Sequence, residues 1–171
     1  QGKEVSVVVL EKGSEPGAHI LSGAVMDPRA LNELLPDWKA QGAPLNQPVT
    51  EDEVLFLGKN GRTTTTPSWL VPGCLHNDGN YVISLGALTK WLGQHAESLG
   101  VEVFPGFTAA EVLYDQAGAV RGVATGNLGI GKDGLAHDGF QLGMELTAKY
   151  TVFAEGARGH LGKQVINRHR L

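Results

Sequence analysis

Short apolar runs alternate with glycine turns along this chain, a pattern typical of a fold rich in strands. Residues 5–10 form a near-continuous aliphatic run, which predicts a strand buried on both faces, as in a parallel sheet. The run ends at Glu11-Lys12-Gly13. In dinucleotide-binding folds a carboxylate at such a strand tip accepts hydrogen bonds from a ribose. Glu11 is therefore a candidate ribose ligand, with a solvated loop residue as the alternative.

The spacing of the apolar residues becomes helical over residues 85–99. Ser84 is the predicted N-cap and Gly100 the predicted residue just past the C-terminus. A strand at 101–104 follows directly, and parallel sheets need such helix-to-strand crossovers. Apolar positions recur every three or four residues and predict one buried stripe, made of Leu85, Leu88, Leu92, Ala96 and Leu99.

From residue 109 to residue 150 the period shifts to two, which predicts an antiparallel meander. The glycines at 126–131 have the spacing G-x-x-G-x-G, whereas a nucleotide loop reads G-x-G-x-x-G and opens a helix. We interpret them as a hairpin end. The predicted meander strands cover residues 111–114, 119–124 and 145–150.

A final apolar strand is predicted at 150–154, followed by the turn Glu155-Gly156 and a helix over 161–167. Strand, glycine turn and helix in this order direct backbone amides and a helix N-terminus toward an anion.

Residues 54–75 predict a hairpin. Asn60-Gly61 is the dipeptide of a type I′ turn, in which both central residues have positive φ. Pro67 and Pro72 make the second arm an edge or end it early. The pattern alone favours a hairpin buried in its own domain, but an apolar surface with a cationic tip resting on a bilayer is the alternative. Trp69 is then the candidate interface anchor.

Composition narrows the function classes. The 171 residues, 42% hydrophobic and 19% charged, suit one globular domain with a small insertion. A net charge of −4 gives no general basic field for nucleic acid. The single cysteine, Cys74, makes no internal disulfide and is too few for an iron–sulfur cluster. No apolar stretch of about 20 residues is present for a membrane-spanning helix.

Catalytic and metal motifs are absent from the sequence. The six histidines lack metal-ligand spacing, and no nucleophile motif occurs, so we predict no metal ligand and no catalytic residue. His19 and His160 lie in glycine-rich turns and are interpreted as hydrogen-bonded scaffold.

Several sequence blocks, taken in order, are similar to those of one known family. Through them the chain resembles the electron transfer flavoprotein–ubiquinone oxidoreductases over nearly its whole length. The 17–24 and 35–52 blocks carry the most specific likeness, and the full set comprises Gly17-Ala18-His19-Ile20-Leu21-Ser22-Gly23-Ala24, Leu35-Pro36-Asp37-Trp38, Gly42-Ala43-Pro44-Leu45, Pro48-Val49-Thr50-Glu51-Asp52, Gly100-Val101-Glu102-Val103-Phe104-Pro105-Gly106, Phe153-Ala154-Glu155-Gly156 and Gly159-His160-Leu161.

The resemblance implies a mixed α/β fold: part of a glutathione-reductase-type FAD-binding fold with parallel strands, an antiparallel meander and an inserted β-hairpin. The whole protein is then expected to carry FAD and a four-iron cluster, the cluster not being ligated by this chain. It is expected to take electrons from reduced electron transfer flavoprotein and to reduce ubiquinone. Its expected place is peripheral, on one leaflet of the bacterial inner membrane at the cytoplasmic side, or on the mitochondrial inner membrane.

The resemblance also assigns residues. Residues 1–25 and 84–171 are expected to belong to the FAD-binding domain, and 26–83 to an inserted membrane- and quinone-side segment. The expected FAD contacts are Glu11, Lys12, Ser22, Gly23, Ala24, Thr108, Ala109, Ala154, Glu155 and Gly156. The expected membrane- and quinone-side residues are Phe56, Leu57, Trp69, Leu70 and Val71.

The family's glycine-rich phosphate loop and cysteine-rich domain have no counterpart in the sequence, and it does not open with methionine. We therefore expect a segment of a longer protein that by itself binds FAD weakly or not at all and is inactive. Two alternatives remain open: another flavoprotein of the same fold, such as a polyprenyl reductase or hydroxylase relative, and a membrane-adhering module without redox activity.

Overall fold

A computed structural model describes residues 5–171 and divides them into two units. One unit holds the described residues up to Glu15 together with Gly100–Leu171, and the other is Pro16–Leu99. The predicted segment 1–25 begins in residues 1–4, which lie outside the described residues. The assignment of segments to a FAD domain and an insertion stays a prediction.

A parallel strand pair opens the first unit. Strand β1 (Val8–Glu11) pairs with β7 (Glu102–Pro105), with Leu10 opposite Phe104, so the parallel pairing expected from the crossover pattern is confirmed. Burial of β1 on both faces is not found, because Val8 and Val9 remain partly exposed and β7 is the strand that pairs with β1 in the described part of the chain.

The predicted meander is present in the same unit. Strands β8 (Ala109–Tyr114), β9 (Val120–Thr125) and β12 (Glu145–Thr147) form an antiparallel sheet in the order β12-β9-β8. Strands β10 (Leu128–Ile130) and β11 (Ala136–Gln141) form the hairpin expected around the glycine loop.

The expected strand at 150–154 does not form. Thr151–Gly156 has no regular structure, and Tyr150 and Val152 are 89% and 85% exposed. An apolar, β-branched run favours an extended backbone, but a strand requires a hydrogen-bonded neighbour, and none pairs with this run among residues 5–171. Helix α3 (Leu161–His169) follows, two residues longer than predicted, and packs against β8.

The second unit has a small core. Strands β2 (Gly23–Met26), β6 (Tyr81–Ser84) and β3 (Gln47–Pro48) form an antiparallel sheet beside helices α1 (Arg29–Leu34) and α2 (Leu85–Ser98). Trp38, 2% exposed, contacts Tyr81 edge-to-face and donates its Nε1–H to Asn32 at 2.7 Å. The buried residues are Leu31, Trp38, Ala43, Leu45, Ile83 and Leu88.

Helix α2 has the predicted ends and buries part of the predicted face. Ser84 Oγ accepts the N–H of Ala87, and Gly100 has φ +88°. Of the predicted stripe Leu88 is fully buried, whereas Leu99 is largely exposed. The predicted stripe is therefore confirmed only in part, since Ala96 is half-buried and Leu85 and Leu92 are exposed. A loop from the start of the unit covers a second face of the helix.

The predicted hairpin consists of β4 (Leu55–Leu57) and β5 (Thr63–Thr65), joined by a tight turn over Lys59–Gly61. Asn60 and Gly61 both have φ +72°, as a type I′ turn requires. Single 3-10 turns follow at Ser68–Leu70 and Gly73–Leu75, so the second arm leaves the strand where its prolines begin.

Candidate functional site

The tip of β1 is held against the segment that leads into β8. The backbone carbonyl of Glu11 accepts the N–H of Phe107 at 3.1 Å, and that of Gly13 accepts the N–H of Gly106 at 2.7 Å. Thr108 comes next, and its carbonyl accepts the N–H of Gly126 at 3.0 Å. The structure therefore brings the strand tip carrying Glu11 beside the segment carrying Thr108 and Ala109.

The side chain of Glu11 stabilises its own turn. Its Oε1 accepts the backbone N–H of Gly13 at 2.5 Å, and the residue is half-buried. Its Oε2 has no hydrogen-bond donor among the residues that the structure describes. Lys12, next to it, is exposed. One carboxylate oxygen is therefore committed to the turn and the other is available to an external hydroxyl.

Glu155 lies at the N-terminus of α3. Its Oε1 accepts the N–H of Leu161 at 3.1 Å and its Oε2 that of Gly162 at 2.7 Å. The slight desolvation of this exposed carboxyl tends to raise its pKa, but the backbone N–H groups of Gly162, Leu161 and His160, with the charge of His160, outweigh it and hold the pKa below its ordinary value. The predicted anion at this helix N-terminus is thus supplied by the chain itself, a role that sequence reasoning missed.

The neighbours of Glu155 leave backbone groups accessible. Ala154 and Gly156 are exposed, and Gly156 has φ +72°. The carbonyl of Gly156 accepts the N–H of Gly159 at 3.2 Å, which closes the turn before α3. His160 is exposed, and its ring is hydrogen-bonded to Gln164 at 3.2 Å.

Ser22, Gly23 and Ala24 lie in the other unit, at the start of β2. Gly23 pairs with Ser84 and Ala24 with Ile83. A Cβ on Gly23 would come within 2.7 Å of the Ile83 carbonyl oxygen, so the close strand approach requires glycine there. Their predicted flavin contact stays a prediction.

The loop that precedes these residues, beginning at Pro16, packs closely against α2. A Cβ on Gly17 would meet the carbonyl oxygen of Gly86 at 2.5 Å, and one on Gly93 would meet Pro16 at 3.0 Å. Gly86 and Gly93 are seven residues apart and share one helix face. This face was not predicted from the sequence, although the i, i+7 spacing of the two glycines places them on one side of the helix.

The predicted membrane-side residues form exposed apolar surface within their unit. Phe56 is 67% exposed, Leu57 79% and Trp69 79%; Leu70 is also exposed and Val71 half-buried. Lys59 and Arg62 flank the turn and are exposed. Burial of this hairpin, the interpretation that the pattern alone favoured, is not found in the described structure.

The described residues contain neither a metal-ligand cluster nor a membrane-spanning helix. Within residues 5–171 no group of three or more His, Cys, Asp or Glu side chains is placed to hold a metal ion, and Cys74 is exposed. In the same range no helix has both the length and the hydrophobicity to cross a bilayer.

Comparison with known proteins gives close relatives. The chain is 61% identical over 168 residues to a probable electron transfer flavoprotein-ubiquinone oxidoreductase of Acinetobacter baylyi, covering 98% of this chain and 30% of that protein. It is 58% identical over 171 residues to the Pseudomonas aeruginosa electron transfer flavoprotein-ubiquinone oxidoreductase (99% of this chain, 31% of that protein). The mitochondrial protein of that name in Mus musculus is 52% identical over 172 residues (100% and 27%). No family model matches.

Proposed function

We propose that this chain, which belongs by sequence to the electron transfer flavoprotein–ubiquinone oxidoreductase family, is part of an FAD-dependent enzyme that passes electrons from reduced electron transfer flavoprotein to ubiquinone. The chain spans about a third or less of the length of the curated relatives it matches. The whole enzyme's activity and partners are therefore proposed for the protein of which this sequence is a part.

The observation that carries the proposal is the hydrogen bond between Glu11 and Phe107, since it aligns a carboxylate at a strand tip with the segment carrying Thr108 and Ala109. A half-buried carboxylate with one oxygen unused suits a ribose hydroxyl donor. The backbones of Thr108 and Ala109 are proposed to meet the adenine of FAD. These residues fit the adenosine half of the cofactor.

Glu155 is proposed to act at the adenosine half of FAD indirectly, through the turn that it stabilises. Because both of its oxygens already accept helix N–H groups, we propose that it shapes the turn, while the exposed backbone of Ala154 and Gly156 contacts the cofactor. Lys12 is proposed as a solvent-side contact to the adenosine. Ser22, Gly23 and Ala24 are proposed, from the resemblance, to lie along the flavin.

Electron transfer is the chemistry that FAD supplies when bound, and the described residues have no acid–base task in it. Their work is to bind and orient the adenosine end. A four-iron cluster in the whole protein would draw its ligands from elsewhere, because the single thiol of this sequence falls short of the four cysteines that such a cluster takes.

The exposed hairpin is proposed as the membrane- and quinone-side element. Phe56, Leu57, Trp69, Leu70 and Val71 form the apolar surface, and indole prefers the depth of the bilayer interface. Large exposed apolar patches mark interaction or membrane sites. We propose peripheral attachment to the inner membrane of a bacterium or, in a eukaryote, of the mitochondrion.

The test uses the full-length protein. It should be yellow, lose its visible flavin absorbance when reduced electron transfer flavoprotein is added, and regain it when a soluble quinone follows. A colourless, FAD-free preparation of correctly folded protein would falsify the assignment. Bleaching without recovery by quinone would retain the flavin but reject quinone as the acceptor.

A further inference from the structure

The charged side chains of the hairpin are all positive. Residues 54–75 contain two cations, Lys59 and Arg62, and no acidic residue, in a chain of net charge −4. Gly58 donates its N–H to the Arg62 carbonyl at 2.7 Å, which closes the turn and sets the two cations on either side of it. Neither side chain has an ion-pair partner within the described residues.

Apolar side chains emerge on both faces of this hairpin. Leu55 opposes Thr65 and Leu57 opposes Thr63 on one face, while Phe56 opposes Thr64 on the other. All six residues are exposed. A flat protein partner would cover one face only, whereas the interfacial layer of a bilayer surrounds a shallowly inserted hairpin on both.

The base of the hairpin has the opposite charge. Glu51, Asp52 and Glu53 precede β4 and are exposed, and Asp52 is fixed there by the backbone N–H of Asn77 at 2.9 Å. An anionic surface attracts the turn and repels the base. The hairpin is therefore electrically polarised along its length.

Resting on the proposed membrane role of the hairpin, we propose that Lys59 and Arg62 bind the phosphates of anionic phospholipids, so that the protein selects negatively charged leaflets and lies with the turn toward the headgroups. The apolar residues supply attachment to any bilayer, and the two cations supply the preference. Each basic side chain near an anionic surface strengthens binding about five-fold, so the pair gives ~25-fold.

The test measures co-flotation of the full-length protein with vesicles of phosphatidylcholine, alone or partly replaced by phosphatidylglycerol. We expect the wild-type protein to bind the anionic vesicles about 25-fold more tightly at low salt, with most of the preference lost at high salt. Lys59→Gln with Arg62→Gln should remove the preference. The matched control is Lys132→Gln with Lys149→Gln, which removes the same charge from exposed positions outside residues 54–75.

The outcomes separate this inference from the proposed function. Equal binding of the wild-type protein to both vesicles, or equal losses in the two double variants, overturns the charge preference. Trp69→Ala should weaken binding to both vesicle types alike. If the protein binds neither type of vesicle, both the membrane role of the hairpin and the charge preference are rejected. The redox function is tested separately, by flavin bleaching and its reversal by soluble quinone.

Discussion

The carboxylate oxygen Oε2 of Glu155 lies 2.7 Å from the backbone nitrogen of Gly162, in the first turn of α3. Its other oxygen accepts the N–H of Leu161, so one side chain satisfies two N–H groups that a helix leaves without internal partners. Negative charge at this end also complements the helix dipole. A residue assigned to the cofactor turn is thereby the N-terminal acceptor of a helix.

Glu155→Gln is expected to lower the free energy of unfolding by about 0.5–1 kcal/mol at neutral pH, the lower part of the range for caps because the group is exposed. The amide keeps one acceptor oxygen but loses the second and the charge. Urea unfolding measures the change in the free energy of unfolding. The control variant is Glu111→Gln, which makes the same substitution at an exposed position on β8. Equal losses in both variants would contradict the capping role.

The pH dependence of this difference follows from the lowered pKa of Glu155. A carboxyl whose folded pKa is depressed adds stability that is complete above its unfolded pKa, about 4.3, and disappears as pH falls through the folded pKa. The stability gap between the wild-type protein and Glu155→Gln should therefore shrink below about pH 4.3. A gap that stays constant into acid would assign the effect to packing.

Gly17→Ala is expected to destabilise the second unit by more than Gly42→Ala. Both glycines have positive φ, +87° and +77°, so both substitutions carry a similar backbone strain of about 1 kcal/mol. Only at Gly17 does the new Cβ collide with backbone, 2.5 Å from the Gly86 oxygen, whereas Gly42 has open space. Thermal unfolding of the two variants isolates the collision, and equal melting temperatures would show that the loop shifts without strain.

Local rules predicted much of the fold. Ser84 and Gly100 delimit α2 as expected, because capping depends on residues one turn apart. Asn60 and Gly61 form the expected turn for the same reason, since the positive φ of both is a property of the dipeptide. The period-two pattern likewise located the meander.

What sequence reasoning missed depends on distant contacts. The covered face of α2 is set by Gly17, some 70 residues before Gly86, and the spacing of Gly86 and Gly93 does not indicate which segment of the chain covers them. The exposure of β1 and the absence of a strand at 150–154 depend on which strands are available for pairing. An apolar run in the sequence does not indicate whether such a partner strand is present. For the candidate site, the sequence predicted a parallel sheet and a strand at 101–104, but neither the hydrogen bond between Glu11 and Phe107 nor the helix-capping bonds of Glu155.

Trp38→Phe is expected to cost about 2 kcal/mol of unfolding free energy, since it removes the 2.7 Å hydrogen bond to Asn32 and leaves a void in the core. Trp69→Phe, at a 79% exposed position, should cost less than about 0.5 kcal/mol. Chemical denaturation of the two variants gives the comparison. Similar values for both would mean that Trp38 is not a core residue.

Glu11→Gln separates the binding role of this residue from its structural one. The amide oxygen of glutamine still accepts the N–H of Gly13, so the turn and the melting temperature should be preserved. A ribose hydroxyl would then donate to a neutral acceptor instead of a carboxylate, and hydrogen bonds to charged groups are stronger by about 1 kcal/mol or more.

FAD affinity of the full-length protein is therefore expected to fall about ten-fold in Glu11→Gln, measured by titrating FAD into the apoprotein. The control is Glu102→Gln, an exposed glutamate on the paired strand β7, which should bind FAD as the wild-type protein does. Unchanged affinity with an unchanged melting temperature would remove Glu11 from the cofactor site. A lowered melting temperature without loss of FAD would leave it a purely structural role at the strand tip.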